Sequence, residues 1–231
     1  MKTIGLVGGV SWESSKDYYR IINEEVARRL GGLHSADCVM TSLDFDPVAK
    51  AINAGDHDTY RQHVLKSAGR MKGSGIDFAL ICSNTTNAFA EDVEKLLGVP
   101  VIHIADAMGK AVTERGFRTV GLLGTRSLME ADTVKGRLER KWGLSVIIPD
   151  VDDRVTVNRV IFEELCAGKI VDSSREEYLE IMEKLAARGA EGILLACTEI
   201  PLLIKQEHTA LPVFDSTELH ALMAVDLALE A

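Results

Sequence analysis

Three observations on the 231-residue chain predict an α/β fold of two pseudosymmetric lobes, each a parallel sheet flanked by helices. Short apolar runs ending in glycine alternate with segments of helical spacing, which is the pattern of parallel strands buried under helices. That pattern occurs twice. The two copies also keep the same order at nearly the same offset, and an internal repeat is the first thing to look for in a sequence.

The repeat is explicit. Lys2-Thr3-Ile4-Gly5-Leu6-Val7-Gly8 recurs as Arg118-Thr119-Val120-Gly121-Leu122-Leu123-Gly124, an offset of 116. The segment Gly75 to Ser83 recurs as Gly189 to Cys197, offset 114, and Val99-Pro100-Val101 recurs as Leu211-Pro212-Val213, offset 112. The elements follow in order. Ile4 to Val7 reads as a strand, Asp17 to Leu30 as a helix ended by Gly31-Gly32, and Val39 to Phe45 as a strand. Thr59 to Lys72 reads as a helix, Phe78 to Cys82 as a strand, Glu91 to Leu97 as a helix stopped by Gly98 and Pro100, Val101 to Ile104 as a strand and Ala107 to Arg115 as a helix. The second copy opens with a strand, Val120 to Leu123. Its helices are expected near Glu130 to Lys141, Val157 to Ala167 and Ser174 to Arg188, with a last helix from Thr217 to Glu230. The lobes are expected at 1–112 and 113–211, with 212–231 a C-terminal segment that packs back on the first lobe. Connections should be right-handed crossovers.

Composition narrows the function. Apolar residues make up 46% of the chain, enough for a core, and the net charge of −9 argues against a nucleic-acid partner. The apolar stretch Met1 to Val10 is too short to span a membrane and has no basic flank or cleavage site, so a soluble cytoplasmic protein is expected. Four cysteines, none in a CxxC pair, suit neither a disulfide framework nor a zinc site, and the six histidines show no ligand spacing. Cys38 and Cys166 read as buried small apolar residues.

In open parallel sheets, ligands bind beyond the carboxyl ends of the strands. The ends Cys82-Ser83-Asn84-Thr85 and Cys197-Thr198-Glu199 are matched by the repeat and would meet across an interlobe cleft. That geometry suits a reaction with reagents on both faces of one carbon, such as removal of a proton α to a carboxylate and its return from the other side. A thiol is competent as base and as conjugate acid. The repeat pairs Ser83 with Cys197, whereas chemistry favours Cys82. Neighbours on a strand point to opposite faces, so Cys82 and Ser83 should not both face the site. Gly8-Gly9-Val10-Ser11 and Gly124-Thr125 read either as anion loops, with Gly9, Val10, Ser11 and Thr125 near a carboxylate, or as plain strand-to-helix turns. Asn84, Thr85 and Thr198 suit an amino group and carboxylates, or helix capping. Glu164 reads as a residue reaching the site or as part of a solvated helix face. Trp12 either lines the site or packs under its loop.

Gly8-Gly9-Val10-Ser11-Trp12-Glu13-Ser14, Ser83-Asn84-Thr85, Gly124-Thr125-Arg126, Ile161-Phe162-Glu163-Glu164-Leu165 and Ala196-Cys197-Thr198-Glu199-Ile200 together resemble the aspartate/glutamate racemase family over essentially the whole chain. The resemblance implies a cofactor-independent amino-acid racemase or epimerase, an isomerase that uses neither pyridoxal phosphate nor metal and is often a homodimer. Its substrate is expected to be aspartate, glutamate or a related small amino acid. It implies catalytic residues at Ser83 and Cys197, and substrate-binding residues at Gly9, Val10, Ser11, Asn84, Thr85, Thr125, Glu164, Thr198 and Glu199. The family places cysteine before Asn-Thr, where this chain has Ser83, and histidine where it has Asn87. Those departures imply a directionally biased racemase, with Cys197 as thiolate base and Ser83 in the opposite acid/base position. They leave open a decarboxylase or isomerase using Cys197 alone, or a non-catalytic binder of small acids.

Overall fold

The computed structural model describes residues 1–230. The first half runs β1 (Ile4–Gly8), α1 (Trp12–Leu30), β2 (Cys38–Ser42), α2 (Phe45–Asn53), α3 (His57–Gly69), β3 (Phe78–Ile81), a 3-10 turn (Thr85–Phe89), α4 (Ala90–Leu97), β4 (Val101–Ile102) and α5 (Ile104–Glu114). The second runs β5 (Thr119–Leu123), α6 (Arg126–Glu130), α7 (Asp132–Trp142), β6 (Ser145–Ile147), α8 (Val151–Arg159), a π turn (Val160–Glu164), a 3-10 turn (Leu165–Ala167), α9 (Asp172–Ala187), β7 (Ile193–Leu195), α10 (Ile200–Leu203), a 3-10 turn (Gln206–His208), β8 (Val213–Asp215) and α11 (Ser216–Leu229).

Two four-stranded sheets form, ordered β2-β1-β3-β4 and β6-β5-β7-β8, and all their pairings are parallel. The registers repeat as well as the order. Gly5 pairs with Ala79 and Gly121 with Ile193, while Ala79 pairs with Val101 and Ile193 with Val213. Those partners are related by the same three offsets as the sequence repeat. Gly5 and Gly121 share a physical reason: a Cβ there would stand 2.7 Å from the Ile76 Cδ1 and the Ile193 Cδ1 respectively. A bare backbone at these positions lets apolar side chains lie flat on the central strand.

Several elements differ from the sequence expectation. Phe45 begins a helix rather than ending a strand, because Asp44 accepts from the Asp46 amide (3.4 Å) and turns the chain. The helix expected near Glu130 to Lys141 divides into α6 and α7 at Ala131, whose backbone is extended. The helix expected from Val157 to Ala167 changes at Val160 from α to π and then to 3-10.

The chain divides into two compact units, 1–104 with 220–231 and 105–219. The division falls within α5 and α11 instead of at 112 and 211. These two helices begin at equivalent positions of the repeat, 104 and 216, and each belongs mainly to the unit built by the other half. In the first unit, Ala221, Ala224, Val225 and Ala228 of α11 join Ile4, Leu6, Tyr18, Phe78 and Leu80 in one core. His220 fixes that helix. Its Nε2–H donates to the Ile102 carbonyl (2.8 Å), so its Nδ1 accepts from the Tyr18 hydroxyl (2.8 Å). A second core, with Val48, Tyr60, Val64, Met71 and Val93, fills the other face of that sheet. In the second unit, Asp106 of α5 accepts from Arg137 (2.9 and 2.8 Å), Lys141 (2.8 Å) and the Trp142 indole (3.1 Å). Burial alone would raise the Asp106 carboxyl, but these four bonds outweigh it and hold the group well below the carboxylate range.

Candidate active site

The last backbone bond of each central ladder fixes which residues are equivalent. The Cys82 amide donates to the Val7 carbonyl (2.9 Å), and the Ala196 amide donates to the Leu123 carbonyl (2.7 Å). Cys82 therefore corresponds to Ala196, and the next residues, Ser83 and Cys197, correspond to each other. Cys82 is fully buried in the core with Leu80, Phe78 and Tyr18, and burial pushes its thiol far up. The Ser14 hydroxyl donates to its carbonyl (2.8 Å). Strand alternation sends Ser83 the other way, into a cluster of hydroxyl groups.

Around Ser83 the bonds converge. Its Oγ accepts from the Thr86 hydroxyl (2.9 Å) and from the Thr86 amide (3.4 Å). Thr86 has one hydroxyl hydrogen and spends it on Ser83, so the 2.6 Å contact between Thr86 Oγ1 and the Tyr60 hydroxyl has Tyr60 as donor. Among the described residues nothing accepts from the Ser83 hydroxyl itself. Asn87 is fully buried and structural. Its amide nitrogen donates to the Ile81 carbonyl (3.1 Å) and the Ser83 carbonyl (2.7 Å), and its oxygen accepts from the Ile104 amide (3.0 Å). Asn84 is buried and Thr85 half-buried at the start of the 3-10 turn.

At the other strand end the partners are acidic. The Cys197 thiol donates to Glu199 Oε2 (3.0 Å), and the Thr198 hydroxyl donates to the same oxygen (2.7 Å). Cys197 is partly exposed and packs against the core that holds Tyr178, Leu165 and Ile200. Burial, and then the Glu199 carboxylate, push its thiol well above the ordinary value. Glu164 closes the π turn. The nearby Ser174 hydroxyl first, and then the Arg159 guanidinium (2.6 Å to Oε1), hold its carboxyl below the usual range despite burial. Its Oε2 is buried and takes no hydrogen bond of normal length among the described residues. Tyr178, whose hydroxyl donates to the Val157 carbonyl (2.9 Å), is raised by burial and then by the charges of Cys197 and Glu164.

The glycine-rich loop has a structural explanation. Gly9 has φ +101°, and a Cβ there would stand 2.5 Å from the Leu43 backbone nitrogen and oxygen. Its amide is already bonded to the Ser15 hydroxyl (2.8 Å), which donates in turn to the Ser11 carbonyl (3.1 Å). Val10 and Ser11 are half-buried where α1 begins, and Trp12 is exposed with Lys16 over its ring at 5.3 Å. Thr125 caps α6 by accepting from the Leu128 amide (3.3 Å). Cys166 is exposed, against the expectation that it would be buried, because the short 3-10 turn that carries it ends the helical stretch at the surface. Cys38 is half-buried on β2, and the four cysteines are free. The sequence reading missed Tyr60, Thr86 and Tyr178. Tyr60 lies 26 residues before Thr86 on another helix, and only the polar run Ser83 to Asn87 hinted at a network.

Residues 7–224 match the family model for Asp/Glu/hydantoin racemases. The chain belongs to that family. A candidate Asp/Glu racemase structure from Yersinia pestis is 44% identical over the whole of both chains, with a TM-score of 0.95. The structure of an aspartate racemase homologue from Pyrococcus horikoshii is 32% identical over the whole of both chains, TM-score 0.86. Among curated proteins, the broad specificity amino-acid racemase RacX of Bacillus subtilis is 23% identical over 70% of this chain and 69% of its own. The glutamate racemase of Persephonella marina is 26% identical over 71% of this chain, and the match spans 63% of that relative's own length. No described helix is long and apolar enough to cross a membrane.

Proposed function

We propose that this chain racemises aspartate, glutamate or a related small amino acid without pyridoxal phosphate or metal, as a cytoplasmic homodimer. Cys197 acts as the base and Ser83 as the acid on the opposite face of the α-carbon. One observation carries the reading: the equivalent backbone bonds of Cys82 and Ala196 pair Ser83 with Cys197 and leave Cys82 in the core.

The Cys197 thiolate takes the α-proton, and the electron pair of the broken C–H bond is delocalised into the adjacent carboxylate. The Ser83 O–H bond then breaks as a new C–H bond forms on the other face, and before the next turnover the Ser83 oxygen recovers a proton from solvent while the Cys197 thiol releases to solvent the one it took. Glu199 tunes the thiol. The Glu164 carboxylate, held ionised by its partners, suits the substrate ammonium, with Asn84, Thr85 and Thr198 as neutral partners for carboxylates. Gly9, Val10, Ser11 and Thr125 complete the site as backbone and hydroxyl donors at the loop ends. A serine hydroxyl is a weaker acid than a thiol, so the two directions run through unequal steps. The equilibrium constant of racemisation is one. kcat/KM must therefore agree in both directions, and the bias falls on kcat with a compensating KM.

The test is deuterium incorporation. L- and D-aspartate and L- and D-glutamate are incubated with the protein in deuterated water, and α-deuterium is followed in the product enantiomer. Incorporation that vanishes in Cys197→Ala supports the reading. No incorporation with any of these or with neutral amino acids, beside measurable binding, contradicts it in favour of a binder. A single thiol at the paired positions also suits an enzyme that uses Cys197 alone. Release of carbon dioxide from a substituted malonate, without racemisation, would favour that alternative.

A further inference from the structure

We propose that Tyr60, acting through Thr86, is a positioning residue that makes Ser83 a proton donor: the chain Tyr60–Thr86–Ser83 aims the Ser83 hydrogen away from the core and steadies the charge that develops on its oxygen. The inference rests on the proposed racemase reading and goes beyond it, since neither Tyr60 nor Thr86 lies in a family motif quoted above.

Proton counting gives the chain its direction. Three hydroxyl groups stand in a row, at 2.6 Å and 2.9 Å. A hydroxyl has one hydrogen to give. Thr86 gives its hydrogen to Ser83, so Tyr60 gives its own to Thr86. Ser83 receives twice, from the Thr86 hydroxyl and from the Thr86 amide. Its own hydrogen then has no place inside the cluster and is the one left to donate.

The arrangement favours the reaction in one direction of charge. As Ser83 gives up its proton, negative charge builds on Oγ, where two donors already point. Donors placed in advance at an atom that gains charge stabilise the transition state without reorganising. The Tyr60 hydroxyl strengthens the Thr86 donor by polarising it along the chain. Tyr60 is itself well held. It is 4% exposed, its ring meets Phe89 edge-to-face at a centroid distance of 4.9 Å, and it belongs to the core with Val48 and Val64. Burial pushes its phenol up to about 12, so it remains a donor across neutral and mildly alkaline pH. Among the described residues no hydroxyl chain ends on Cys197, whose hydrogen-bond partner is a carboxylate. A hydroxyl acid needs converging donors, and a thiol base does not.

Two measurements separate this proposal from the racemase reading. The first is kinetic. Tyr60→Phe and Thr86→Val should each lower kcat/KM about tenfold, by the same factor in both directions as an equilibrium constant of one requires, with the circular dichroism spectrum unchanged. Thr86→Ser, which keeps the hydroxyl, should retain most of the rate. The second needs no turnover. In Ser83→Cys, the pH dependence of iodoacetamide modification at position 83 is read by peptide mass, with and without Tyr60→Phe. The chain's donors favour the thiolate, so adding Tyr60→Phe should move the reactive range to higher pH. An unchanged modification profile overturns the chain whatever the enzyme does. A shifted profile with kcat/KM unchanged in an active enzyme overturns its part in catalysis. A shifted profile in a protein that racemises nothing overturns the racemase reading and, with it, Tyr60's part in proton return, while the hydrogen-bond direction stands.

Discussion

Ser83 and Cys197 each follow an equivalent backbone hydrogen bond, at the ends of β3 and β7 in two different sheets, yet their surroundings are opposite in kind. Ser83 receives two hydrogen bonds and sits among hydroxyl groups, whereas Cys197 gives its proton toward a carboxylate. The duplicated backbone sets two equivalent positions, and the side chains two and three residues later, Glu199 and Thr86, give them different surroundings. On the proposed reading, that difference makes one position the acid and the other the base. A symmetric enzyme would need like neighbours at both ends, and this chain does not have them.

The largest effect expected from disturbing this contrast comes from making one substitution at two cysteines. Cys197→Ser should lower racemisation about 10³-fold with the thermal midpoint little changed, because a serine in a carboxylate's company is a poor base. Cys82→Ser should retain turnover and lose about 1–3 kcal/mol of stability, because it buries a hydroxyl among Leu80, Phe78 and Tyr18. Activity assays and thermal unfolding of both variants check the pair. If Cys82→Ser abolishes activity in a folded protein, the assignment of the first position is wrong.

Next comes pH. The Cys197 thiol is raised by burial and by the Glu199 charge, and the thiolate is the reactive form, so the rate should climb as pH rises toward the thiol's raised value. Glu199→Gln removes a negative charge that favours the protonated thiol. The thiol value then falls, and the rising limb should move to lower pH. A limb that stays in place or moves upward would mean that Glu199 does not act on the thiol.

The smallest effect tests the duplication itself. Gly5→Ala and Gly121→Ala should each cost about 1 kcal/mol, since the added methyl meets the yielding end of an isoleucine in both sheets. Similar losses of thermal stability are the result expected of two equivalent positions. A large cost at one and none at the other would break the equivalence.

The sequence carried a good deal of this. The offsets of 116, 114 and 112 reproduce the observed strand registers, because a parallel sheet keeps its pairing when both strands of a pair are copied together. The pairing of Ser83 with Cys197 was legible for the same reason. The helix boundaries at Phe45, Ala131 and Val160 were not, since a capping aspartate and a local change of helical pitch leave little trace in apolar spacing. The unit to which α5 belongs was hidden, because an apolar helix face does not say which sheet it covers, whereas the C-terminal segment was expected on the first lobe, the unit that holds most of α11. Asn87 read as a lost histidine, but its three buried hydrogen bonds make it a clamp on the strand end. Tyr60 was invisible because its partner lies 26 residues away.

The central claim is that the equivalent pair is unequal and that its inequality resides at position 83. The most direct measurement is the ratio of kcat for the L-to-D and D-to-L directions on the preferred substrate, in the unaltered protein and in Ser83→Cys. The account predicts a ratio far from one in the former, and a ratio brought at least severalfold closer to one when a thiol stands at both positions. A ratio near one in the unaltered protein, or one that Ser83→Cys leaves unmoved, would contradict it.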